Sequence, residues 1–421
     1  MLRFADRLEA SLQAPVTQTR PAVSLQDSTL DPVGDFASLL AAPETLKGWP
    51  CSSASYKIER LLGRGSFGDC FLALKTSAWE KPAHVALKVS ARYGVEMSRE
   101  VEVLLLLRDA PDVVPTLLEF FYVASAHTCH LVLVMEAYDA TLRTVIEGLA
   151  AEGEKRTCSW LRLARRVGQH LSPALAHLHA LSIIHRDVKS DNVLVRLQPV
   201  GPPSFVLSDL GQAKQCSAAN PHDPTESTPY AFAQLYRAPE LFFGCRAYAG
   251  EPDVWALGCT IAEVLLGGAH PFQRCDGTHG GDGDGDGGGG CVGGEGGDAP
   301  RAGKLSATQC QLLALFESLG TPTWRDILAM NPSVASEDER RRTWMSVPPR
   351  PAVRCWKAPI AGSLATDIAA SHSQESTRLG AAAMALLGSV FVWHPAARPK
   401  ARDMRFSAFF NGPVDDLETR I

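Results

Sequence analysis

The 421-residue chain is 45% apolar and 21% charged, the proportions of a globular protein with room for two or three lobes. Its net charge of -5 supplies no basic field to draw it onto nucleic acid or an anionic membrane, and no run reaches the eighteen or so apolar residues of a spanning helix. Eleven scattered cysteines, with no C-x-x-C pair, argue for a reducing compartment and against a disulfide framework or a zinc site.

Arg3, Arg7, Leu8 and Leu12 have the turn spacing of an amphipathic transit segment, but Asp6 and Glu9 count against it. Residues 1–55 therefore read as a flexible tail, rich in Pro, Ser, Thr and Ala from Pro15 to Pro50. Order is expected from Tyr56. A short strand, Ile58 to Leu62, runs into Gly63-Arg64-Gly65-Ser66-Phe67-Gly68. That spacing also fits a dinucleotide site, where a helix would follow; here strand-like Cys70 to Leu74 follows, as in a β-hairpin. Bare backbone at the glycines can close over phosphates, with Phe67 at the tip to shield them.

Val85-Ala86-Leu87-Lys88 reads as a strand carrying one lysine, and a lysine among such neighbours is costly without a task. Val95 to Arg108 has helical spacing, with Glu100 twelve residues after Lys88; Glu96 and Glu102 are its rivals and suit a solvated face. Leu131 to Tyr138 is a buried strand leaving into a connector. An apolar run, Leu178 to Ile184, precedes His185-Arg186-Asp187-Val188-Lys189-Ser190-Asp191-Asn192, and Val193 to Val195 follows. Phe205 to Ser208 is a short strand ending at Asp209-Leu210-Gly211. Tyr236-Arg237-Ala238-Pro239-Glu240 comes next, then Asp253 to Gly258 at the start of a buried helix. Gln273 to Gly303 is dense in Gly and Asp. Asp282, Asp284 and Asp286 copy the opening of a calcium loop, but its twelfth position is Gly293, so a surface insertion is expected. Leu312 to Phe316 and Leu319 to Thr323 resume the fold, and a last apolar helix is expected from Ala381 to about Val392.

In this order the stretches resemble the motifs of a eukaryotic protein kinase domain, from about Tyr56 to Phe410. The resemblance implies an α+β, two-lobed fold. A small, mainly β N-lobe with one helix (56–137) would precede a larger, mainly α C-lobe (138–410) that carries the insertion 273–303; 411–421 would be a tail. It implies ATP and Mg2+ as cofactors. Asp187 would be the catalytic base, and Lys189 would offset charge on the transferred phosphoryl. Lys88 would bind the α- and β-phosphates and pair with Glu100. Asn192 and Asp209 would hold magnesium. The nucleotide would lie against Gly63, Arg64, Gly65, Ser66, Phe67, Gly68, Cys70, Ala86, Met135, Glu136 and Tyr138. Cys70 stands where the pattern has Val, and Leu210 where it has Phe. Glu240 would pair with a distant arginine, for which Arg398 is the candidate, and Asp253 would bond the backbone of the catalytic loop.

Tyr-Arg-Ala-Pro-Glu with Leu319-Gly320-Thr321-Pro322-Thr323 resembles the branch of cyclin-dependent, mitogen-activated and glycogen synthase kinases. Asp209 to Gln215 and Leu319 to Pro332 are most similar to glycogen synthase kinase 3. That likeness implies a phosphoserine pocket from Arg99, Arg186 and Lys214, which are otherwise three independent solvated charges. It also implies a regulatory phosphotyrosine at Tyr230, where the alternative is a buried structural tyrosine; Thr228-Pro229-Tyr230 copies a mitogen-activated kinase as well. Arg237 supports a preference for proline after the acceptor. Ala233 and Gln234 replace the family's Ser or Thr and Arg, and Ser333 to Met345 departs where the family binds scaffold proteins. The expected function is a serine/threonine protein kinase, cytoplasmic or nuclear, that favours pre-phosphorylated substrates; the alternative is a pseudokinase that binds partners without turnover. Protein substrates and scaffold proteins are the expected partners, with no nucleic acid and no membrane span.

Overall fold

A computed structural model describes residues 55–65, 68–77, 81–90, 95–124, 129–152, 160–198, 201–216, 232–273, 307–332, 352, 356–371 and 374–411. Ser66, Phe67, Tyr230, the calcium-like Asp282 to Gly293, and Ser333 to Met345 lie outside them. The chain divides into two compact units, one taking in the described residues up to Asp109 with Pro115–Ala137, the other Ala110–Val114 and the rest from Tyr138.

The first unit is an antiparallel sheet of β1 (Ser55–Gly65), β2 (Gly68–Thr76), β3 (Ala83–Ser90), β4 (Leu117–Ala124) and β5 (Cys129–Glu136), with helix α1 (Val95–Leu106). The strand order is β1-β2-β3-β5-β4. Period-two alternation sorts its residues. Phe71 and Ala73, Val85, Leu87 and Val89, and Val132 and Val134 form one apolar core with Tyr56 and Phe121. The intervening residues share the opposite face, where the register sets Cys70 opposite Lys88, Lys88 opposite Leu133, and Ala86 opposite Met135. β1 is longer than the sequence suggests and leaves Leu61 and Leu62 exposed, because register shifts break its alternation.

The second unit is mainly helical. Its elements are β6 (Ala140–Thr141), α2 (Leu142–Glu152), α3 (Trp160–Ala180), β7 (Ile183–Ile184), β8 (Val193–Arg196), β9 (Ser204–Leu207), β10 (Lys214–Gln215), α4 (Pro239–Phe242), α5 (Glu251–Leu265), α6 (Ala307–Leu319), α7 (Trp324–Met330), α8 (Lys357–Ser371), α9 (Gln374–Val390), α10 (Ala401–Met404) and α11 (Ala408–Asn411). α5 is buried from Pro252 to Leu265, and Trp255 on it stacks on Phe272 at 5.3 Å. α3 closes on α11 so tightly that a Cβ at Gly168 would sit 2.1 Å from the Phe410 ring. α7 starts at a capping box in which Thr323 and Asp326 exchange bonds, worth about 1 kcal/mol.

Helix α8 is absent from the sequence reading. Its Pro359, Gly362 and run of small residues hide a weak stripe of Ile360, Leu364 and Asp367, all buried; Asp367 Oδ2 accepts the Leu161 amide at the start of α3, 2.9 Å away. α9 begins seven residues earlier than its apolar pattern, since Gln374 to Arg378 present a polar first turn. No helix among the described residues is long and apolar enough to cross a membrane.

Candidate active site

In the first unit the glycine-rich stretch is a hairpin. Gly65 and Gly68 face each other across β1 and β2. Gly68 has φ +144°, and a Cβ there would lie 1.9 Å from the Val89 carbonyl oxygen, so only glycine fits. Gly63 and Arg64 pair with Cys70 and Asp69 in the same hairpin. On the face that holds Cys70, Lys88 extends to α1, where its Nζ lies 2.7 Å from Glu100 Oε1. Glu100 is 2% exposed, while its rival Glu102 is only half-buried. The carboxylate therefore fixes the ammonium in a site largely closed to water. Met135 and Glu136 end β5, with the Glu136 amide donating to the Thr116 carbonyl at 3.2 Å. Arg99, next to Glu100, is exposed on α1.

In the second unit the catalytic-loop stretch leaves β7 and ends in a 3-10 turn, Ser190–Asn192, before β8. Asp253, fully buried on α5, holds its start. One carboxylate oxygen accepts the His185 amide and the His179 imidazole, the other the Arg186 amide, each at 2.9 Å. Burial alone would raise this carboxyl; the His179 bond, the two histidines and the Arg186 amide hold it below the usual aspartate value. Arg186 takes φ +66°, which turns the chain so that Asp187 faces back toward Asn192. The Asn192 amide nitrogen donates to Asp187 Oδ2 at 2.7 Å and to the Asp187 carbonyl at 2.9 Å, and Lys189 Nζ reaches the same Oδ2 at 3.0 Å. Both side-chain bonds thus land on one oxygen, leaving Oδ1 to take up a proton.

Asp209 follows β9 in a left-handed turn, φ +61°. Its neighbour Ser208 donates from its amide and its hydroxyl to the Asn192 carbonyl, at 2.8 and 3.1 Å. The two residues expected to hold metal are thus tied through backbone. A carboxylate and an amide oxygen, the latter freed because the Asn192 nitrogen serves Asp187, are the hard ligands that magnesium takes.

The stretch from Tyr236 to Glu240 is pinned at its end by Glu240 and Arg398, which form a bidentate pair with both contacts at 2.7 Å and both side chains buried. Arg186 Nε donates to the Gln212 carbonyl at 2.6 Å, and Lys214 pairs with Ile184 across β10 and β7. Both cations are buried in the second unit; Arg99 belongs to the first. Tyr138, in the second unit, lies under the Arg196 guanidinium, whose carbon is 4.3 Å from the tyrosine ring centroid.

Sequence reasoning missed a cluster beneath the loop: Arg143, Ser190, Tyr236, Glu263 and His270. The available signal was Glu263, a carboxylate inside an apolar helix. His270 is buried, accepts the Phe272 amide at Nδ1 and stands edge-on to Tyr236 at 5.0 Å. Burial, then the nearby Arg143 charge, depresses it from 6.5 to about 3. The fold therefore holds it neutral while the unfolded chain takes up a proton below 6.5. Stability from this residue is complete above pH 6.5 and declines toward pH 3, by up to about 1.4 kcal/mol per pH unit. We predict that His270→Leu flattens the acid side of the urea-midpoint profile; a slope between pH 7 and 4.5 identical to wild type refutes this.

The sequence profile described as "Protein kinase domain" matches residues 56–285, more than half of the chain. "Protein kinase MCK1" of Saccharomyces cerevisiae is 31% identical over 218 residues, 50% of this chain and 53% of that protein. The chain thus spans about half the length of this curated relative.

Proposed function

We propose, for a chain that belongs to the protein kinase family, that it transfers the γ-phosphoryl group of ATP to serine and threonine hydroxyls of proteins. The observation that carries this reading is the Asp187 carboxylate, held on one oxygen by Lys189 and Asn192. Its free oxygen accepts the proton of the attacking hydroxyl. The hydroxyl oxygen forms the new bond to phosphorus while the bridging P–O bond breaks and its electron pair leaves with ADP. Lys189 offsets charge on the group in transit, and Lys88, steadied by Glu100, holds the other phosphates. Magnesium, when bound by Asn192 and Asp209, would neutralise the phosphate charge. Labelled phosphate moving from MgATP to a serine peptide tests the reading; a folded, purified chain that binds ATP and never turns over is a pseudokinase.

The finer reading is a kinase resembling glycogen synthase kinase 3 that favours substrates already phosphorylated nearby. Its support is three basic residues at the matching motif positions, Arg99, Arg186 and Lys214. A dianionic phosphate accepts charge-assisted bonds from such a set. After desolvation, about 10- to 100-fold in kcat/KM is expected for a primed over an unprimed peptide. Arg99→Ala is expected to remove most of that preference. Equal kcat/KM for the two peptides on wild type, or a preference that survives the loss of Arg99, ends the proposal.

A proline after the acceptor is favoured on separate grounds. Phe232 adopts φ +75°, and its carbonyl accepts the Arg237 guanidinium at 3.0 Å. That oxygen is therefore committed, and a substrate residue with no N–H loses nothing there.

A further inference from the structure

Ser190 sits in the middle of the catalytic loop, fully buried, and is assigned no part in the chemistry above. Its hydroxyl donates to Glu263 Oε1 at 2.9 Å. The Tyr236 hydroxyl donates to Glu263 Oε2 at 2.7 Å, and Arg143 Nη1 lies 2.9 Å from Oε1. Arg143 Nε also stands 3.8 Å from Asp191 Oδ2, on the residue after Ser190. One buried carboxylate thus receives the catalytic loop on one oxygen and the last residue before Arg237 on the other, with an arginine to balance its charge.

The placement along α5 gives this meaning. Asp253 and Glu263 lie ten residues apart on that helix, or about 15 Å. Asp253 fixes the loop just before Asp187, through the amides of His185 and Arg186. Glu263 fixes it just after, through Ser190. Asp187 is suspended between two points of one rigid helix. Beyond Asn192 the chain is held by Ser208; the stretch between Asp187 and Asn192 has Ser190 as its side-chain tie to α5.

We infer that Ser190 is a positioning residue: through its bond to Glu263 it sets Asp187 and Asn192 in register with Tyr236, which bonds the other oxygen of the same carboxylate. The inference rests on the proposed kinase reading. Ser190 touches no reacting atom; it acts by holding the turn that carries Asn192, whose amide orients Asp187.

The experiment compares wild type, Ser190→Ala, Glu263→Gln and the double variant. It reads kcat and KM for ATP, melting temperature, and hydrogen exchange of the backbone amides from Asp187 to Asn192. Ser190→Ala is expected to lower kcat about 10-fold, equivalent to about 1.4 kcal/mol, with KM for ATP within about twofold. Loop amides are expected to exchange faster while the fold melts cooperatively. In the Glu263→Gln background the same change should add less than about twofold, because its partner is already weakened. A kcat within about twofold of wild type overturns the inference. So does unchanged loop exchange, or a loss that persists at full size in the Glu263→Gln background. Should Ser190→Ala fail to fold, Tyr236→Phe on the opposite oxygen carries the same expectations. A wild-type chain without turnover defeats the proposed function, whereas loop exchange in the same variants still decides whether Ser190 anchors the loop.

Discussion

Asp187→Ala is expected to lower kcat by about 10²- to 10⁴-fold. The carboxylate is bonded to both Lys189 and Asn192. Without it the proposed attacking hydroxyl must lose its proton to water, Lys189 loses its carboxylate partner, and Asn192 keeps only its bond to the residue 187 carbonyl. The fold should survive, because the loop is held by bonds that do not involve this side chain. The His185 and Arg186 amides stay on Asp253, and Ser190 stays on Glu263. KM for ATP should change little, since Lys88 and its partner Glu100 lie in the other unit. Single-turnover transfer to a peptide is the measurement. Undiminished turnover in a folded Asp187→Ala preparation would remove the role assigned to Asp187.

Arg398→Ala carries the largest expected cost in stability. Arg398 spans three parts of the second unit: its two terminal nitrogens meet Glu240, and they also approach the carbonyls of Glu251 and Val392 at 3.4 and 3.3 Å. The guanidinium also lies 5.0 Å from the Trp255 ring centroid. Truncation leaves the Glu240 carboxylate buried without its countercharge, a situation that costs about 3–5 kcal/mol. In a unit of this size that lowers Tm on the order of 10 °C. The paired replacement Glu240→Leu with Arg398→Met should cost less, since no stranded charge remains. If Arg398→Ala melts within a degree of wild type, the pair contributes nothing that the double variant could reveal.

The parts of the site that a reader of the sequence can recover are those in which chemistry forces a residue type at a short spacing. Lys88 stood out as a cation in an apolar strand, and twelve residues on its carboxylate partner Glu100 is where helical spacing put it. Asp187 and Asn192 lie five residues apart, and their bond closes within one turn. The long-range partners Asp253 and Arg398 were reachable only through the resemblance to a kinase, because nothing local marks them. Ser190, Arg143 and Glu263 were not found, since a serine in a loop and an arginine opening a helix look like solvated residues until tertiary packing buries the serine and sets the arginine against Glu263. Phe232 offered no signal at all: a bulky residue at φ +75° contradicts local preference and is held there by its surroundings. Helix α8 was missed for the opposite reason, as its local composition argues against a structure that burial of Ile360 and Leu364 enforces.

The anchoring of the loop by α5 also bears on when the protein becomes competent during its own synthesis. His185 and Arg186 find their acceptor 68 and 67 residues later in the chain, and Ser190 finds Glu263 73 residues later. Glu240 waits 158 residues for Arg398. Loop closure over such spans costs entropy before any contact repays it. At about 5–20 residues per second, the sequence bearing Asp187 leaves the ribosome several seconds before the helix that will shape it. A nascent chain arrested ahead of Asp253 would therefore carry every residue from His185 to Asn192 and lack both ties to α5, so the proposed phosphoryl transfer should begin only after release of the later helices.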